Sequence, residues 1–182
     1  MITRPLVLGN HAFLFPEGAA FTSPEEGIAS RDAKPDAAET TWIDPGIVEN
    51  LKVSRSFDEV EIFAPSPGQL RLYDVIETKK QLNFTLSLKE WSVFAFQLLF
   101  GTRQIEAATR QYNPLAGLTT RAWVKLQQYD QNDELFNTVD VFCFLKIDGD
   151  GEFNPAEAVS LDLLCRTLHS RYNTGVLAAP GV

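Results

Sequence analysis

Alternation of apolar and polar residues is the dominant pattern between residues 42 and 168. It is clearest over residues 81–89, where apolar and polar side chains take turns as in a strand with one buried face (Leu82, Phe84, Leu86, Leu88 against Asn83, Thr85, Ser87). Residues 122–129 alternate in the same way, residues 138–147 are apolar on both faces, and residues 159–168 add a last strand. Residues 47–62 alternate imperfectly and lead into a turn at Pro67 and Gly68. The pattern predicts a mainly-β protein, a sandwich or barrel of two packed antiparallel sheets.

One helix interrupts the strands. After residue 90 the apolar period changes from two to about 3.6, which places Trp91, Phe94 and Leu98 on a single helical face. Ser87 and Glu90 have the spacing of a capping box ahead of it. We therefore expect a short helix that packs on the sheet through those three core side chains.

The two ends of the chain lack this patterning. Residues 1–41 hold an apolar patch at 5–15 and then a stretch rich in Ala, Glu, Asp, Pro and Gly with neither period. We expect residues 1–41 to be an N-terminal segment with an extended arm or long loop. Residues 42–168 form the β domain, and residues 169–182 form a C-terminal arm. A length of 182 residues suits one such domain.

Net charge and apolar segment length limit the kinds of partner that the chain can bind. The net charge is −8 with a pI near 4.8, which disfavours nucleic-acid binding because phosphate contacts need concentrated Lys and Arg. The start of the chain lacks the basic and apolar pattern of a secretory signal. The longest apolar-rich segment, residues 91–100, is about half of what a membrane span needs. We expect a soluble protein, made inside the cell, with no membrane partner.

Residues that could carry chemistry are sparse. Cys143 and Cys165 lie in apolar stretches without a C-x-x-C spacing and are expected to be free buried thiols, with a disulfide between neighbouring strands left open. The two histidines, His11 and His169, lie near the ends and outside any catalytic motif. We predict no catalytic residue, no cofactor and no enzymatic activity.

Two acidic groups invite a functional interpretation. The sequence from Asp148 to Glu152 resembles the start of an EF-hand loop, but position 6 is not glycine and position 12 is Val159 instead of glutamate. A hairpin turn suits its glycines better, and we predict no metal site. Glu59 and Glu61 share one face of a strand, which is more typical of a solvated surface than of a glycosidase pair.

The order of features resembles the major tail tube proteins of siphophages, a family related to the type VI secretion tube subunit. The resemblance covers about residues 42–168 and is carried by this order: Trp42-Ile43-Asp44-Pro45-Gly46, then FDEVEI at 57–62, Pro67-Gly68, YDVI at 73–76, and NFTLSLKE at 83–90 ahead of the helix. It implies two packed sheets with a flanking helix. It also implies six-membered rings that stack around a channel.

That resemblance carries expectations about partners and place. The subunit would contact copies of itself, a tape-measure protein, and the tail terminator and distal tail proteins, and DNA would pass without specific binding. It would be assembled in the host cytoplasm and reside in the virion tail. Six copies of charge −8 would carry −48 formal charges, and an acidic channel would repel phosphates. Glu59 and Glu61 are the candidate lumen-lining residues, and residues 16–41 suit contacts between rings.

Two alternatives stay open at this point. One is another virion structural protein, such as a tail terminator, a distal tail protein or a capsid decoration protein, which would form single rings or spikes. The other is a β-sandwich module that binds calcium or carbohydrate.

Overall fold

The fold is known from a computed structural model that describes residues 9–22, 27–36, 38–89, 98, 120–148 and 161–177. Its strands there are β1 (Gly9–Pro16), β2 (Val48–Ser66), β3 (Gln69–Leu88), β4 (Thr120–Tyr129), β5 (Leu135–Asp148), β6 (Leu161–Thr167) and β7 (Thr174–Leu177). All pair antiparallel in one sheet of order β1-β4-β5-β6-β3-β2, and β7 pairs with β5 beside this path. The predicted mainly-β antiparallel fold is confirmed.

The alternation read from the sequence places side chains on the expected faces. In β3, Phe84, Leu86 and Leu88 are at most 4% exposed, while the polar residues between them are half-buried. In β5, Val141 and Phe142 are both buried although they point to opposite faces. The middle of β5 therefore needs apolar cover on both sides, as its two-sided apolar sequence predicts.

The sheet curls around its main core. β1 and β2, the two ends of the strand order, lie beside each other. One face of β1, β3, β4, β5 and β6 therefore encloses a single apolar cluster, in a barrel-like arrangement. Cys143 and Cys165 both belong to it as free, buried thiols, which confirms the first of the two predictions for them. Burial raises the pKa of Cys143 to about 12 and the pKa of Cys165 well above its usual value, so neither is a reactive thiolate.

A second, smaller core lies on the outer face of β1, β4 and β5. Phe15, Trp123 and Phe142 are at most 1% exposed and are covered by the connection between β1 and β2, whose Ala29 is buried with them. The indole Nε1 of Trp123 donates to the carbonyl oxygen of Ser30 at 2.8 Å. The described residues of the stretch expected to be an arm, 16–41, thus fold back over their own sheet.

A buried carboxylate ties this connection together. Glu39 is 5% exposed, and its two carboxylate oxygens accept hydrogen bonds from the backbone N–H and hydroxyl of Thr22 at 2.8 and 2.5 Å. They also accept from the N–H and hydroxyl of Thr41 at 3.0 and 2.6 Å. These donors, those of Thr22 first, hold the pKa of Glu39 far below its ordinary value of 4.5.

Glu39→Gln should therefore destabilise the protein in a pH-dependent way. Because the pKa of Glu39 is lower in the folded than in the unfolded chain, its stabilising contribution is complete above about 4.5 and is lost as the pH falls toward the folded value. Urea unfolding should show a clear deficit for the variant at pH 7 and a smaller one at pH 3. Glu17→Gln, at an exposed carboxylate, is the control. A deficit of equal size at both pH values would contradict this role.

Some predictions fall partly or wholly outside the described residues. Trp91 and Phe94 of the expected helix do so, whereas Leu98 is helical and packs against the main core. Of the EF-hand-like stretch only Asp148 is described, as the last residue of β5. In the C-terminal segment, residues 174–177 form β7 and pair with residues 137–140 of β5.

Candidate assembly surface

The longest strands of the sheet form a projecting hairpin. β2 and β3 have 19 and 20 residues, against a usual length of about 5–6. β6 pairs with β3 only at residues 83–88, so that residues 55–82 are paired with nothing but each other among the described residues. We call residues 55–82 the hairpin arm; at a strand rise of about 3.4 Å it is roughly 40 Å long. Its tip is the predicted turn at Pro67 and Gly68, where Gly68 has a φ of 79°.

The hairpin arm exposes an unusual amount of apolar surface. Nine large apolar side chains in it are between 38% and 78% exposed: Phe57, Val60, Ile62, Phe63, Leu70, Leu72, Tyr73, Val75 and Ile76. A two-stranded hairpin standing alone is marginally stable in water, and contiguous apolar patches of this kind mark interaction sites. The hairpin arm therefore has the surface of an element that is completed by a partner.

Strand register divides the hairpin arm into two faces, because directly opposed residues of an antiparallel pair point to the same side. One face continues the core side of β3, and we call it the carboxylate face. Its opposed pairs are Arg55 with Leu82, Phe57 with Lys80, Glu59 with Glu77, Glu61 with Val75, and Phe63 with Leu72. The opposite face carries Asp58 with Lys79, Val60 with Ile76, and Ile62 with Asp74. Both faces mix charged and large apolar side chains, so neither is a purely solvated surface.

Glu59 and Glu61 lie side by side on the carboxylate face, as their spacing predicts. Glu77 stands directly opposite Glu59, and like charges in that position destabilise an isolated hairpin. Lys80 offsets part of this, with its Nζ 2.5 Å from a carboxylate oxygen of Glu77. Whether this face lines a channel stays a prediction.

The hairpin arm also has unpaired backbone on both sides. Within the described part of the chain, β2 pairs only with β3, and β3 has no partner on its other side before residue 83. Such edges carry rows of free N–H and C=O groups that can accept a further strand. Sequence reasoning missed this surface, because the alternation of Val60 and Ile62 with Glu61 is the same in a half-buried strand and in an exposed one.

The described residues also bear on three other kinds of site: a metal site, a histidine-based site and a membrane span. In the described residues, no group of three or more His, Cys, Asp or Glu side chains could hold a metal ion. His11 packs edge-on against Tyr129, with ring centroids 5.4 Å apart. The part of the chain that the structure describes contains no helix long and apolar enough to cross a membrane.

Comparisons with known proteins add only a distant likeness. No protein-family model matches the chain, and no curated protein matches it. Among solved structures, a chain of the anti-feeding prophage baseplate, from a 6-fold symmetrised cryo-EM structure, is similar over 97% of both chains at 10% identity and a TM-score of 0.47. That similarity is too low to assign a family or a function.

Proposed function

We propose that this chain is a structural subunit of a phage tail tube, which joins copies of itself into six-membered rings that stack around a DNA-conducting channel. The observation that carries the proposal is the hairpin arm, which has apolar side chains on both faces and, among the described residues, no strand paired to either edge. The ring number and the stacking come from the resemblance in sequence order to the tail tube family.

The two edges of the hairpin arm favour a ring over a simple pair. One edge belongs to β2 and the other to β3, so a contact between copies that joins β2 to β3 uses two different surfaces. Contacts of that type repeat head to tail and close into rings when the rotation allows. Arms joined in this way would form one continuous cylindrical sheet without free edges.

The exposed apolar side chains of the hairpin arm would favour such assembly. Nine large side chains, on average about half exposed, could contribute at most on the order of 10 kcal/mol per copy, and less where those on the channel face stay in contact with water. Association entropy and side-chain ordering offset several kcal/mol of this. The remainder favours association between copies.

The carboxylate face would then be the channel face. Glu59, Glu61 and Glu77 outnumber Arg55 and Lys80 on it, which leaves a net negative lining that repels DNA phosphates. A cryo-EM map of the tube tests this directly. Glu59 and Glu61 should point into the channel, and a map with both carboxylates on the outside would reject the assignment.

Electron microscopy of the purified chain tests the function itself. Uniform hollow tubes are the expected result. Discrete single rings would favour the other virion proteins, such as a tail terminator or distal tail protein, and a strict monomer at high concentration would reject self-assembly. The tape-measure, terminator and distal tail proteins are the further partners that this role requires.

A further inference from the structure

A cleft of about 660 Å³ opens where the hairpin arm leaves the barrel. One wall is the base of the arm, on the carboxylate face, and the other is the chain that follows β6. The side chains that decide its chemistry are Arg55, Phe57, Lys80, Leu82, Leu168 and His169. A cleft of this volume is in the range that holds a ligand of several connected groups.

The lining combines cations with an apolar floor. Arg55 and Lys80 face one acid, Glu77, so the cleft is positive in a chain whose net charge is −8. Copies of so acidic a chain repel one another, so a contact that places cations against carboxylates is favoured over one that brings carboxylates together. The complementary ligand carries carboxylates separated by apolar side chains.

Residues 58–62 of β2 have that chemistry and lie on an edge that no other described strand covers. Glu59 and Glu61 alternate there with Val60 and Ile62, both exposed. Within one molecule they cannot enter the cleft, because they are held in the same hairpin, further along the arm than Arg55. A second copy can supply them.

We propose that residues 58–62 of one copy dock beside the cleft at the base of the hairpin arm of the next, with Glu61 level with Lys80 and Glu59 level with Arg55. This rests on the self-assembly proposed above and names its contact. Strands that close into a ring are staggered, and a stagger of about four residues would bring residues 58–62 of one arm level with the base of its neighbour. The faces match as well, since Glu59, Glu61 and Lys80 all lie on the carboxylate face.

Charge reversal with rescue tests the pairing. Arg55→Glu with Lys80→Glu, and separately Glu59→Lys with Glu61→Lys, should each raise the concentration for half-assembly by about 10-fold or more, because like charges then meet at the contact. All four changes in one chain should restore it to within roughly threefold. Lys52→Glu with Lys146→Glu is the control, since it matches the first reversal in charge at exposed positions outside the cleft. Sedimentation velocity gives the midpoints, and circular dichroism checks that each variant is folded.

The outcomes separate this contact from the proposed function. If the unmodified chain never assembles, self-assembly itself is rejected. If it assembles but the reversals act no more strongly than the control, or the fourfold variant is not rescued, the docking of residues 58–62 is overturned and the ring proposal stands.

A disulfide gives a second measurement that does not depend on charge. The chain for this test carries Glu61→Cys and Lys80→Cys. Within one arm Lys80 lies opposite Phe57, which is four residues before Glu61, so the two cysteines of one copy are about 13 Å apart. That is beyond the reach of a disulfide, so oxidation can join them only between copies. Cys143 and Cys165 are buried and do not compete. Covalent ladders on a non-reducing gel are expected from assembled protein, and only monomers would overturn the contact.

Discussion

Replacing residues 57–80 by the dipeptide Asn-Gly is expected to give a folded monomer that has lost assembly at every concentration. Ser56 and Gln81 are opposed in register, so a two-residue turn can join them in the geometry of a tight hairpin. None of the removed residues is buried, and the main core keeps all its members. The free energy of unfolding should therefore change by no more than about 1 kcal/mol, as for other surface changes.

The comparison is between two chains with the same barrel. The intact chain should form rings or tubes in electron microscopy, and the shortened chain should sediment as a monomer. Both should unfold cooperatively in urea with similar midpoints. Assembly by the shortened chain would show that the contact between copies lies elsewhere, whereas loss of folding would show that the hairpin arm supports the barrel.

Trp123→Ala should cause the largest loss of stability, about 3–5 kcal/mol. The side chain is fully buried in the second core, and its ring centroid is 5.4 Å from that of Phe142. Its Nε1 donates a hydrogen bond to the carbonyl oxygen of Ser30. The substitution removes both the packing and the hydrogen bond that anchors the described residues around Ser30 to the sheet. Faster proteolysis within those residues should accompany the lower stability.

Urea unfolding measures this loss, and Phe57→Ala is the matched control. Phe57 is also a large aromatic side chain, but it is 53% exposed on the hairpin arm. Its removal should cost the monomer less than about 1 kcal/mol while weakening assembly. A cost below about 1 kcal/mol for Trp123→Ala would mean that the second core contributes little to folding.

The alternation of apolar and polar residues predicted two kinds of strand, those with one buried face and those buried on both faces. In β3 the alternation of Phe84 and Leu86 with Thr85 gave the correct buried face, and in β5 the neighbours Val141 and Phe142 predicted cover on both sides. The helix expected around Trp91 lies outside the described residues. β7 was not predicted, because four residues ending in Val176 and Leu177 are too few to show a period.

The amino-acid sequence by itself determined which side of β3 and of β4 is apolar, the turn at Pro67 and Gly68, and the position of Glu59 and Glu61 on one face of a strand. Only the tertiary structure decided that Ala29 and its described neighbours in the connection between β1 and β2 cover Trp123, and that the hairpin arm extends beyond β6 with Phe57 and Tyr73 exposed. The reason is that periodicity shows which side chains are apolar, but not which part of the structure packs against them. An apolar side chain can be buried by the same chain or by a second copy. Which of the two applies depends on where a strand extends past its neighbours in the sheet, and that is set by strand order and strand length.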